Sequence, residues 1–133
     1  LMKKHLHTKN SPAAIGPYSQ AVAIDNLVFL SGQIPLNNKG KMVEGTVEQQ
    51  TQQIFSNIEA ILMEGGGTLN DLVKLTVFLT SLDDFEVINK TMMSRLTRPY
   101  PARSCVEVSA LPKGSTIEVE AIARIDSHTK LSN

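Results

Sequence analysis

The sequence predicts an α+β sandwich, with two helices laid on one face of a mixed β-sheet. Three observations carry this expectation. Two stretches, Thr46 to Gly65 and Asp84 to Leu96, repeat apolar residues at three- and four-residue spacing. Around them lie short runs rich in β-branched and aromatic residues, which alternate with polar ones. The order of these segments is strand, hairpin, helix, strand, helix, hairpin. At 133 residues the chain is expected to form one core. A single domain is placed over residues 2–126, with a flexible polar tail from 127 to 133 that contains His128. Leu1 before Met2 reads as a cloning remnant.

Lys3 to Thr8 reads as a short first strand on which His5 and His7 share one face. A His-x-His pair can bind metal, but no third ligand stands near it, so a solvated strand face is the better reading. Asn10 to Gln20 is a loop in which Gly16-Pro17 forms a rigid turn before Tyr18. Tyr18 either caps the core or presents its ring at a site. Ala21 to Ile24 and Leu27 to Ser31 form a hairpin about Asp25-Asn26. Gly32 then lets a backbone or ligand approach closely, and Pro35 ends the strand.

In the first helix Thr46 is the N-cap, with Gln49 in capping-box position. Its stripe runs through Val47, Thr51, Ile54, Phe55, Ile58, Ile61 and Leu62. Gly65-Gly66-Gly67 follows this helix and so reads as a C-cap, and the Gly-Lys-Ser/Thr part of a phosphate loop is absent. Asp71 to Thr80 reads as a central strand covered on one face. Phe85, Ile88, Met92 and Leu96 form the stripe of the second helix, with Asn89 at its edge. Arg98, Pro99 and Pro101 break the chain before the last two strands.

Those strands hold the polar groups that ask for an explanation. A hairpin about Leu111-Pro112 is expected to join Ala102–Val108 to Ile117–Ile125. Alternation puts Arg103, Cys105 and Glu107 on one face of the first. Glu118, Glu120, Ile122 and Arg124 share one face of the second. With Cys105 opposite Glu118, the hairpin would set Arg103, Cys105 and Glu118 together on the sheet face away from the helices. That face is half apolar, and another copy of the chain is its natural cover. Arg103 suits a planar carboxylate. Glu118 can position or deprotonate water, and Cys105 is a nucleophile or a small polar wall. An interfacial ion-pair network is the alternative use of the same groups.

Composition narrows the classes. Thirteen basic residues balance thirteen acidic ones, so no basic face is implied and nucleic acid is not an expected partner. One cysteine excludes an internal disulfide framework and fits a reducing compartment. No apolar run approaches membrane-spanning length, and no apolar segment follows the N-terminal lysines. A cytoplasmic protein with no membrane association is expected.

Five stretches together resemble the RidA/YjgF family, the reactive intermediate (imine) deaminases, also described as L-PSP endoribonuclease or translation inhibitor proteins. They are 14–20, 29–34, 73–79 with Asp84-Phe85 and Asn89, 101–108, and 111–121 with its Leu111-Pro112-Lys113-Gly114 turn. The resemblance covers nearly the whole chain. It implies a chorismate-mutase-like fold with a six-stranded sheet, a homotrimer, and sites in the clefts between subunits. It also implies hydrolysis of enamines and imines such as 2-aminoacrylate and 2-aminocrotonate, released by pyridoxal-phosphate enzymes, to 2-keto acids and ammonia, with no metal or cofactor. On that pattern Arg103 holds the substrate carboxylate and Glu118 handles water and its protons. Cys105 and the backbone near Gly32 contact the nitrogen end or side chain, and Tyr18 and Asn89 line the cleft. The second helix departs from the family, with Lys90, Thr91, Met92, Met93 and Leu96 where aromatics are common. Pocket size and side-chain preference therefore do not carry over. Two further classes use the same residues or name: a non-catalytic 2-keto acid-binding regulatory module, and an endoribonuclease or translation inhibitor. The neutral charge and the lack of a histidine cluster weigh against the last.

Overall fold

The computed structural model describes residues 2–126, so the expected tail at 127–133, with His128, lies outside the described residues. Six strands form one sheet: β1 (Lys4–Leu6), β2 (Ala21–Ile24), β3 (Leu27–Gln33), β4 (Leu72–Leu79), β5 (Ala102–Glu107) and β6 (Ile117–Arg124). Among the described residues two α-helices, α1 (Val47–Glu64) and α2 (Phe85–Arg95), accompany the sheet. The strand order is β1-β2-β3-β6-β4-β5, and only the β4–β5 pair is parallel.

α1 forms as its sequence dictates. The Thr46 side chain accepts from the Gln49 amide while the Gln49 side chain accepts from the Thr46 amide, which closes the capping box. Its apolar stripe is then driven into the core: Ile54, Phe55, Ile58, Ile61 and Leu62 are fully buried. Burial of each such side chain stabilises the fold by roughly 1.5–3 kcal/mol. They meet Leu75, Val77 and Leu79 of β4 and Val119 and Ala121 of β6 in one core. Asn57, also buried, donates to the Leu36 carbonyl at 2.9 Å and accepts from Gln53 at 2.8 Å, so it costs no unpaired polar group. α2 is tied to α1 by Arg95, which donates to Gln52 and bridges to Glu59 at 3.4 Å.

The expected final hairpin does not form. β5 and β6 are not neighbours, because β4 lies between them. α2 connects β4 to β5 as a crossover, which suits parallel pairing, and Arg103 registers with Leu75, Cys105 with Val77 and Glu107 with Leu79. β6 lies antiparallel on the other side of β4, where Glu118 registers with Phe78 and Glu120 with Thr76. The Leu111-Pro112-Lys113-Gly114 turn is real, with a 3-10 turn at Pro112–Gly114 and Lys113 at φ 57°, but it carries the chain across the end of β4.

This topology also reverses the predicted facing of β5, while that of β6 holds. Residues side by side in a sheet share a face, so Arg103, Cys105 and Glu107 point with Leu75, Val77 and Leu79 toward the helices. Glu118 and Glu120 point the other way. The grouping within each strand holds, but the common face for Arg103, Cys105 and Glu118 does not. The face away from the helices is apolar in part, with Ile24, Leu27, Phe29 and Val106 exposed.

Candidate active site

The predicted site residues fall into two groups. The first surrounds Arg103 at the edge of the sheet under α2. Its Nη1 donates to Oδ1 of Asn89 and meets Sδ of Met92 at 3.6 Å. Its Cζ lies 5.2 Å from the centre of the Phe85 ring. Phe85, Asn89 and Met92 are at i, i+4 and i+7 of α2 and so form one face, which the parallel register of β5 brings over Arg103. Among the described residues no carboxylate pairs with Arg103, and its hydrogen bonds all leave from Nη1. The Nη2 and Nε edge, which a planar carboxylate can grip with two parallel bonds, has no protein partner there. A cleft of about 310 Å³ opens beside it, walled by Met92, Met93, Leu96, Tyr100 and Pro101.

Cys105 sits two residues along the same face of β5, partly buried against the core. Burial raises its thiol above the usual value, and the Arg103 charge offsets part of that rise. A thiol held neutral is a poor nucleophile, which weighs against Cys105 as an attacking group.

The second group lies on the opposite face, in a cleft of about 670 Å³ lined by Tyr18, Ser31, Gly32, Lys113, Glu118 and Glu120 among others. The β3–β6 register shifts between Leu30 and Gln33, and Gly32 sits in that irregularity. A Cβ on Gly32 would stand 2.8 Å from Cδ of Glu118 and 2.9 Å from its Oε1. The glycine is therefore what lets the carboxylate lie against the β3 backbone. Glu118 is half-buried, and loss of hydration raises its carboxyl above the ordinary range, with repulsion from Glu120 adding to the rise. A carboxyl poised in this way exchanges protons closer to neutrality.

Tyr18 is exposed, so its ring is presented and does not cap the core. Its hydroxyl accepts from the Ile15 amide at 3.3 Å and its amide donates to the Gly16 carbonyl at 2.9 Å. The loop that presents it is anchored by Gln20, which sequence reasoning missed. The Gln20 amide nitrogen lies 2.8–3.1 Å from the Thr8 carbonyl, Ser11 Oγ and the Pro12 carbonyl, and its oxygen accepts from the Thr8 amide. Gln20 stands before a strand like any linker residue, and its burial is the only signal, which sequence does not show. Phe85 was also missed, because its place in the helical stripe assigned it to the core. Among the described residues no group of His, Cys, Asp and Glu has the arrangement of a metal site, and no helix is long and apolar enough to cross a membrane.

Two open clefts, one beside Arg103 and one beside Glu118, lie on opposite faces of the sheet in this two-layer α+β protein. Residues 8–125 match the family described as Endoribonuclease L-PSP. The chain is 46% identical over 125 residues to the 2-iminobutanoate/2-iminopropanoate deaminase of Escherichia coli, covering 92% of this chain and 98% of that one. The crystal structure of RidA from an Antarctic Psychrobacter superposes with a TM-score of 0.88 at 46% identity, over 92% and 99% of the two chains. E. coli TdcF, solved with bound serine, gives a TM-score of 0.84 at 40% identity, over 91% and 98%. The chain belongs to the Endoribonuclease L-PSP family, the RidA/YjgF proteins of the sequence resemblance.

Proposed function

We propose that this protein is an imine deaminase that hydrolyses small 2-imino acids, and the enamines in equilibrium with them, to 2-keto acids and ammonia. The observation that carries the reading is Arg103, a cation held only by neutral partners and open along one edge to a cleft. The 46% identity to a 2-iminobutanoate/2-iminopropanoate deaminase supplies the reaction, and serine bound to a 40% identical relative supports a small carboxylate ligand.

Arg103 and Glu118 lie on opposite faces of one sheet, so one chain does not bring them to the same small molecule. Each active site in this reading joins the Arg103 cleft of one subunit to the Glu118 cleft of its neighbour. The contact is heterologous and closes into a homotrimer. The exposed Ile24, Leu27, Phe29 and Val106 support the burial of that sheet face between copies. Arg103 and Asn89 hold the carboxylate end, with Cys105 as a wall, and Tyr18 and the Gly32 backbone close over the nitrogen end. The ionised form of Glu118 takes a proton from water as its oxygen bonds to C2 of the imine. The C=N electron pair moves to nitrogen, which receives that proton from the carboxyl to give the carbinolamine. Glu118 then takes the hydroxyl proton and passes it to nitrogen as the C2–N bond breaks, the C=O bond forms and ammonia leaves. The cytoplasm, where pyridoxal-phosphate dehydratases release such imines, is the proposed location.

The test couples a serine or threonine dehydratase to the protein and follows loss of the imine. The expected result is acceleration over buffer. No acceleration, with 2-oxobutanoate still bound, would turn the reading to a regulatory binding module.

A further inference from the structure

We propose that Phe85 is a positioning residue for Arg103, setting the plane in which the guanidinium meets the substrate. This rests on the reading of Arg103 as the carboxylate grip. An arginine side chain has several rotatable bonds, so a bidentate grip requires that its plane be fixed before the ligand arrives. Asn89 takes one hydrogen bond at Nη1 and Met92 lies near the same nitrogen. Two contacts at one corner of a planar group leave it free to turn about that corner. The Phe85 ring, 5.2 Å from Cζ, removes that freedom by lying against the group. A ring adds no competing acceptor, so Nη2 and Nε stay open.

The position of Phe85 is itself fixed from β5. Glu107, on the same face of β5 as Arg103, accepts from the Leu82 amide at 2.9 Å. That bond ties the turn before α2 (Leu82–Asp84) to the strand carrying Arg103, three residues from Phe85. Phe85 remains exposed at 36% although it belongs to the helical stripe. A ring serving only the core would be driven inward, as Ile88 is at 1%. The sequence Glu107, Leu82, Phe85, Arg103 is thus a brace that locks helix to strand and ring to guanidinium.

The experiment compares wild type with Phe85→Leu and Phe85→Tyr by steady-state imine hydrolysis, by calorimetric binding of 2-oxobutanoate and by thermal melting. Phe85→Leu is expected to raise KM and the 2-oxobutanoate Kd together by about 3- to 10-fold, the worth of a partly desolvated cation–ring contact. Its kcat should stay within about twofold, because Phe85 touches no reacting atom. Phe85→Tyr keeps a ring and is expected to restore both constants at an unchanged Tm. Unchanged constants in Phe85→Leu would overturn the proposal, and so would a Tm loss in both variants with no rescue by Tyr. The binding arm separates this proposal from the reaction: with no turnover in wild type, a Kd that follows the ring still supports Phe85. A wild type that binds no 2-oxobutanoate overturns the proposal.

Discussion

Arg103 and Glu118 stand one strand apart on either side of β4 and point to opposite faces of the same sheet. Every expectation for the chemistry depends on this relationship, because the cation and the poised carboxyl of one chain serve different clefts.

Mixing inactive variants tests the division directly. Arg103→Ala and Glu118→Gln chains, unfolded and refolded together in equal amounts, should regain activity that neither has alone. In a closed ring with random assembly about one site in four pairs an intact Arg103 with an intact Glu118, so about a quarter of wild-type activity is expected. A blend that stays inactive, with mixed oligomers verified by mass spectrometry, would place the site within one chain.

Arg103→Ala alone should lower kcat/KM by at least about 100-fold, since each charge-assisted bond contributes about 1.5–3 kcal/mol. Arg103→Lys should recover little, because an ammonium cannot make the two parallel bonds. Steady-state imine loss measures both, and near-normal rates in Arg103→Ala would remove the carboxylate grip.

The acid limb of kcat/KM should inflect above the ordinary carboxylate range, because burial first and Glu120 second raise the Glu118 carboxyl. Glu120→Gln removes the like charge and should move that limb to lower pH. Stability follows the opposite sense. With its folded value raised, Glu118 holds its proton longer in the native state than in the unfolded chain. Its contribution is whole below the unfolded value and is lost as pH rises through the folded one. Tm in Glu118→Gln should therefore fall less than wild type across that window, as melting at a series of pH values would show.

Gly32→Ala should cost activity far more than stability. The new methyl would lie 2.8 Å from Cδ of Glu118, and the flexible carboxylate can swing away, which spares the fold and displaces the base. A drop of about 100-fold in kcat with a Tm change of only a few degrees is expected. An unaltered kcat would show that the Glu118 position is not constrained by the β3 backbone.

The sequence showed local structure well and facing poorly, for one physical reason. The capping box at Thr46 and Gln49 and the stripe through Phe55 and Ile58 are contacts within a few residues, and α1 forms within a residue of its expected ends. The trio Arg103, Cys105 and Glu107 and the pair Glu118 and Glu120 are likewise consequences of strand pleating alone. Which way each set points depends on strand neighbours distant in the chain. The Leu111-Pro112-Lys113-Gly114 turn carried a hairpin signal, and nothing local told that β4 would occupy the gap. Phe85 and Gln20 were hidden for the same reason, since their partners, Arg103 and Thr8, lie 18 and 12 residues away by number.

The placement of β6 has a consequence for the nascent chain. Among the described residues it is the last strand in sequence, yet it joins β1-β2-β3 to β4-β5. Until residues 117–124 leave the ribosome, these are two small sheets with no shared ladder and with α1 lacking half of its floor. Pairing across that span closes a long loop and is slow relative to helix formation. Chains stopped short of Ile117 should thus show helix without a cooperative melt, and would present open strand edges to chaperones and proteases. Completion of the sheet and arrival of Glu118 are one event, so synthesis delivers no folded subunit that lacks the Glu118 carboxyl.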